Sequence, residues 1–250
     1  MTTTIRHYFK RIATHPLNLL VFILLPVAIS VINNEVLNVV IDDAGAGGII
    51  DMSVQYAIVS AIIMVMFAFF GLSLIYDLLY DDFKSARRWR LLASPASLGK
   101  FIASNAVAST VVSLVSSALI FLANAIIYDA YVPNLWAFGL IIFVFTIFVQ
   151  IMGMLLFLLI PKKGTAEAAT HAIVWSTTIL AGNMFGTINL GTALNFVFQR
   201  ATPNALATNA IFNLIIENDI SQAMIYTGFI GIYVIAAAVI VAIVARRRPF

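Results

Sequence analysis

Apolar residues run along this chain in six long blocks, at about Leu17–Ile32, Ser53–Tyr76, Ile102–Tyr128, Leu135–Ile160, Ala168–Leu190 and Ala223–Ala245, separated by short polar segments. Each block is near or above the roughly 20 residues that a helix needs to cross about 30 Å of hydrocarbon. A helix satisfies its own backbone hydrogen bonds, which makes it the natural spanning form. A transmembrane barrel would show alternating segments of about 10 residues, and the sequence shows no such alternation. The pattern predicts an all-α integral membrane protein of six spans, a single domain over residues 1–250. The first block does not read as a cleavable signal. It contains Pro26 and runs into Asn33, Asn34 and Glu35 instead of a small-residue cleavage site.

Two segments outside the blocks carry a pattern of their own. In Thr4–His15, Ile5, Tyr8, Phe9 and Ile12 recur at helical spacing, while Arg6, His7, Lys10 and Arg11 take the opposite face. Thr4 is a plausible cap, and Pro16 separates this helix from the first span. Residues 1–16 then form either a basic topogenic flank or, the reading preferred, an amphipathic helix lying in the headgroup layer. Residues 189–222 contain Thr202-Pro203-Asn204 followed by Ala205, Leu206, Ile211, Phe212, Leu214 and Ile215. That predicts two short apolar helices around a turn, too short to span, dipping into the outer leaflet where protein covers them.

Composition agrees with lipid as the main solvent: 62% of residues are hydrophobic and only 10% charged, against about 25% charged in soluble domains. Charge placement adds direction. Of the 14 Lys and Arg, only Arg200 falls on one side of the six-span layout. The clusters Arg6–Arg11, Lys84–Lys100, Lys162–Lys163 and Arg246–Arg248 all fall on the other. Glu35, Asp42, Asp43, Asp51, Asp129, Glu217 and Asp219 lie opposite those clusters. The positive-inside rule puts both termini in the cytoplasm of a multi-pass cell-membrane protein. The net charge of +3 thus reflects topology and implies no nucleic-acid partner.

Candidate chemistry is sparse. There is no GxxxxGK[ST] loop, no HExxH pair and no GxSxG elbow. Cysteine is absent and the three histidines are scattered. No catalytic, cofactor-binding or metal-ligating residue is assigned. Ionisable side chains are nearly absent from the blocks. Asp77 lies at a membrane edge and His171 about one turn into the fifth block. An intramembrane proton relay would need charges deep in the bundle, so energy is expected to come from a separate subunit. Polarity within the blocks is mild. Ser109, Ser113, Ser116 and Ser117 share a stripe of the third, Gln150 sits beside Gly153 in the fourth, and Asn183 follows Gly182 in the fifth. Close helix packing explains such a stripe. The alternative is that Ser109, Ser113, Ser116, Gln150 and Asn183 line a substrate route. The segment 81–100 is the most charged. Its Phe83–Ala93 stretch is free of breakers, ends at Ser94-Pro95, and combines Arg87, Arg88 and Arg90 with Trp89. It reads either as a topogenic loop with an interfacial Trp or as a docking helix.

The layout resembles the type-2 ABC transporter permeases, the membrane subunits of drug, peptide and polysaccharide exporters. Four features carry the resemblance along the chain. They are the amphipathic Thr4–His15, the run Leu91-Leu92-Ala93-Ser94-Pro95-Ala96-Ser97 after a cytoplasmic helix, the glycine-bearing break Gly182–Gly186, and the proline-led helices from Thr202-Pro203 to Glu217. One departure is the basic Lys84-Ser85-Ala86-Arg87, where members often carry an acidic residue and Gly-Thr. The resemblance implies an elbow helix at 1–16 and a coupling helix between spans two and three. It implies an ATPase subunit contacted by Phe83, Arg87, Arg88, Trp89, Arg90 and Leu91, with ATP and magnesium held by that partner and none in this chain. It also implies a second permease protomer, the same or related. Export of a drug, antimicrobial peptide or other amphipathic compound is the expected activity. Polysaccharide or lipid-linked glycan export, or a non-transport scaffold, is the alternative.

Overall fold

The computed structural model describes residues 6, 8–10, 20–44, 51–84, 88, 89, 98–181 and 191–247. Those residues form helices and their connections, with no strand among them. A π-helical turn at Leu20–Leu24 leads into α1 (Leu25–Ala44). There follow α2 (Met52–Phe83), α3 (Leu98–Tyr128), α4 (Leu135–Leu159), α5 (Lys163–Leu180), the short α6 (Thr192–Phe196), α7 (Pro203–Ile215) and α8 (Ile220–Arg247). Among the described residues, five segments are long and apolar enough to cross a membrane: Leu20–Asn38, Met52–Phe83, Lys100–Tyr128, Leu135–Leu159 and Ile220–Arg246. These helices are compatible with a multi-pass membrane protein. α5 covers the first part of the predicted fifth span, Ala168–Leu190, but begins at Lys163, and residues 182–190 of that span lie outside the described residues.

Two further boundaries differ from the hydropathy pattern, each for a visible reason. The first block was expected to stop at Ile32, but α1 continues through Asn33, Asn34 and Glu35. Asn34 is buried and donates to Asn124 Oδ1 at 2.6 Å, and Tyr128 donates to Glu35 at 2.7 Å. The second was expected to stop at Tyr76, but α2 continues through Asp77, Asp81 and Asp82 to Phe83. There Asp77 pairs with Lys163, and the buried Asp82 accepts from Tyr8 and from Asn105 Nδ2. Of the predicted helix over Phe83–Ala93, Phe83 closes α2, Arg88 and Trp89 are helical and exposed, and residues 85–87 and 90–93 lie outside the described residues. Polar side chains end a hydropathy block, but they do not end a helix when neighbouring helices supply partners.

α2 is the axle of the bundle. It packs against α1, α3, α4, α5 and α7. Leu72, Ile75, Tyr76 and Leu79 are all essentially inaccessible. α3 shows the inversion expected in lipid. Val107, Val111, Val115, Leu119, Leu122 and Ile126 form an exposed apolar stripe, while Ser104, Asn105, Ser109, Ser113, Ser116, Ser117 and Asn124 face inward. Lipid is as apolar as leucine, so close contact and hydrogen bonds bind the helices, and small or polar residues belong inside. α7 starts within the Thr202-Pro203-Asn204 segment: Pro203 occupies its first turn and Thr202 Oγ1 accepts from Ala205 N at 3.3 Å. Its Leu206, Ile211 and Leu214 are buried, with α8, α2 and α4 as its neighbours. Of the N-terminal segment, Tyr8 is buried, and Arg6 and Lys10 are exposed.

Candidate functional site: an aromatic cleft with a charged end

The described polar residues gather in two kinds of place. The first is closed. Ser109 Oγ donates to Gln150 Oε1 at 2.6 Å and Gln150 Nε2 donates to Ser113 Oγ at 3.3 Å, joining α3 to α4. Gly71 of α2 completes the contact, since a methyl group there would lie 2.6 Å from Ser113 Oγ. Ser116 is buried on the same stripe, and its hydroxyl meets no partner among the described residues. Four of the five residues considered for a substrate route are thus enclosed between helices of this chain. The fifth, Asn183, lies outside the described residues.

The second place is open. Lys163, Glu167, His171 and Trp175 recur every four residues and form one stripe of α5. The adjacent stripe, Ala166, Thr170, Val174 and Thr178, is buried and fixes the rotation of the helix. On α2, Phe70, Ser73 and Asp77 share a face for the same reason. The two faces and the start of the first span enclose a cleft of about 580 Å³, lined among others by Phe22, Phe67, Phe70, Glu167, His171 and Trp175. Phe70 is the hub of its wall, with its ring centroid 5.7 Å from His171 and 6.3 Å, edge to face, from Trp175. Asp77 and Glu167 mark one end, and both meet Lys163 Nζ, at 3.1 and 3.8 Å. From Asp77 the lining of α2 descends to Met66. At the helical rise that is roughly 16 Å of increasingly apolar wall.

Electrostatics favour a charged Lys163. Partial burial opposes its ammonium, but the hydrogen bond to Asp77 and the charges of Asp77, Asp81 and Glu167 outweigh that and hold the amine above its ordinary value. The end of the bundle bearing this cluster is tied by a second lysine. Lys84 Nζ donates to the carbonyls of Phe157 and Ile160 at 3.1 and 3.2 Å, satisfying the open end of α4. Lys84 and Lys163, from two different basic clusters, therefore lie at the same end of the bundle. Glu35, Tyr56 and Tyr128 gather elsewhere, with Tyr56 and Tyr128 rings 5.0 Å apart.

Of the residues considered for docking, Phe83 is buried, Arg88 and Trp89 are exposed, and Arg87, Arg90 and Leu91 lie outside the described residues. Among the described residues no three His, Asp or Glu side chains converge as a metal site requires. The sequence pattern used Lys163 only as a topogenic charge, did not single out Glu167, and placed Asp77 at a membrane edge and His171 about one turn into the fifth block. The signal that finds them is the four-residue recurrence along α5, opposite an acid in the last turns of an apolar helix. Comparison of the chain with protein-family models, curated proteins and solved structures finds no match.

Proposed function

We propose that this chain is the membrane-spanning permease subunit of an ATP-driven exporter of an amphipathic compound, powered by a separate ATPase chain and working beside a second permease protomer. The observation that carries the reading is the cleft. Its volume of about 580 Å³ falls within the 300–1,000 Å³ range of small-molecule sites. Its wall is aromatic and aliphatic with charge at one end, which suits an amphipathic compound better than a polysaccharide. In this reading Ala168–Leu190 forms the fifth of six spans, both termini are cytoplasmic, and the cleft opens toward the cytoplasm beside Lys84 and Lys163. Residues 1–16 form the elbow. Residues 81–100 form the coupling segment, in which Phe83, Arg87, Arg88, Trp89, Arg90 and Leu91 meet the motor. Helix α2 joins the two regions, since it lines the cleft at Phe70 and Asp77 and ends at Phe83. Movement of a docked motor would thus reach the cleft through a single rigid helix.

The test is purification of the tagged chain from its native membrane. The expected complex contains a chain bearing a phosphate loop and hydrolyses ATP. Reversal of Arg87 and Arg88 to Glu should remove that chain from the complex while the permease still inserts. A stable complex that lacks any ATPase, or one indifferent to the reversal, would overturn the reading.

A further inference from the structure

We infer that the cleft takes an amphipathic organic cation, and that Lys163 is a tethered competitor that holds its acidic end until the cation arrives. The inference deepens the export reading by naming its substrate class, but the binding it describes belongs to this chain alone and requires no motor.

Charge comes first. Among the described residues lining the cleft, Asp77 and Glu167 are the acids, and no Lys or Arg is among them. The cation that meets both carboxylates is Lys163, which reaches in from the first turn of α5. Two carboxylates thus face one ammonium, and a second cation is electrostatically welcome where an anion is not. The hold of Lys163 is also weak. Its side chain is 40% exposed and those of Asp77 and Glu167 are 36% and 44% exposed. Ion pairs this open to water contribute little to stability, and a four-carbon stem lets the ammonium withdraw into solvent.

Shape comes second. Beyond the acids the wall is Phe70, His171 and Trp175, then Phe67 and Met66. Aromatic faces attract a poorly hydrated organic cation, and Trp does so most strongly. A lysine ammonium keeps its water, so it gains less from those rings than an organic cation does. The roughly 16 Å between the Asp77 and Met66 levels leaves room for an apolar body behind the charged head. A bare metal ion would find no convergent ligand set among the described residues.

The chain has three tryptophans, so Trp89→Phe and Trp136→Phe leave Trp175 as a reporter inside the cleft. With this full-length chain in lipid nanodiscs, tetraphenylphosphonium is titrated against Trp175 fluorescence. Tetraphenylborate, the anion of the same shape, serves as the paired probe, and equilibrium dialysis gives the affinities. Tetraphenylphosphonium should bind saturably and tetraphenylborate should not. Asp77→Asn should weaken the cation by about tenfold, while Asp77→Glu should retain most of the affinity. Lys163→Gln should strengthen it by about threefold, the effect of removing an exposed competitor.

Equal binding of both probes would overturn the inference and mark the cleft as an apolar seat for lipid or a second protomer. Weaker cation binding in Lys163→Gln would also overturn it, because Lys163 would then be part of the scaffold. If Asp77→Asn fails to fold, the opposite signs expected for Lys163→Gln and tetraphenylborate still decide. Failure of cation binding in a complex that hydrolyses ATP removes the substrate class and leaves the exporter. Cation binding by a chain without an ATPase partner does the reverse.

Discussion

Helix α2 presents two polar neighbourhoods on different faces. Around Gly71 it meets Ser113 and Gln150, where every group is uncharged and no space remains for a methyl group. Around Phe70 and Asp77 it meets Lys163, Glu167, His171 and Trp175, which are charged or aromatic and enclose about 580 Å³. The closed cluster contains the kind of polarity that membrane helices use to recognise each other: hydroxyls and an amide that satisfy one another at short range. The open one keeps ionisable groups near the end of the bundle where water reaches them. Polarity inside an apolar block is thus of two kinds. The presence of space and charge separates a seam between helices from a site that can receive something.

The largest expected effect sharpens the closed side. A methyl group on Gly153 would lie 2.9 Å from the Leu72 carbonyl and also collide with Ile75. α4 can then approach α2 only by a backbone shift. Gly153→Ala should cost about 1–3 kcal/mol, read as a lower thermal midpoint by circular dichroism. An unchanged midpoint would mean that the two helices are not tightly fitted there. Next comes the cluster itself. Gln150→Leu removes the partner of both Ser109 and Ser113 and should cost about 0.6–2 kcal/mol, the range for hydrogen bonds between membrane helices. Transport per folded molecule should remain. A loss of transport at unchanged stability would make the cluster part of a route and erase the distinction drawn above.

The open side should respond in the other way. Lys163→Gln breaks an ion pair whose partners are 40% and 36% exposed, and solvent screening limits the stability change to less than about 1 kcal/mol. Its effect belongs in ligand affinity. A fall in midpoint as large as that of Gly153→Ala would show that the cluster is structural. The smallest effect is a dependence on pH. The Lys163 amine is held above its ordinary value by Asp77, with burial opposing. Its contribution is therefore complete below the unfolded value of about 10.4 and is lost as pH rises through the higher folded value. The thermal midpoint should stay level in this respect across neutral pH and decline only above that point. The decline should be smaller in Asp77→Asn, and equal declines would remove Lys163 as its source.

Much of the fold was legible in the pattern. The cores of α2, α3, α4 and α8 stand where four of the apolar blocks stand. Thr202-Pro203 opens α7 because a hydroxyl cap and a proline without an N–H both suit a first helical turn. Less was legible of the site. The hydroxyl stripe on α3 drew notice because it departs from an apolar background, yet a stripe of small polar residues does not say whether it faces another helix or a space. Lys163 and Glu167 fall just before the fifth block, and His171 and Trp175 fall inside it, so the block boundary splits the four residues. Their common face appears only when the four-residue spacing is followed through the charged region.

Composition and periodicity, both local properties, determined that this chain forms apolar helices with lipid as their solvent. They also determined that most polar groups of α3 share one stripe, since that depends only on the helical repeat. Tertiary structure decided where α1 and α2 end, because Asn34, Glu35, Asp77 and Asp82 remain helical through partners on other elements: Asn124, Tyr128, Lys163, and Tyr8 with Asn105. It also decided which polar stripe is sealed and which is open. The bundle presses α3 and α4 against α2 at Gly71 and Gly153, whereas the stripe of α5 that meets Asp77 and Phe70 borders an open cleft. Whether a polar face is covered depends on residues distant in the chain, and local spacing carries no record of them.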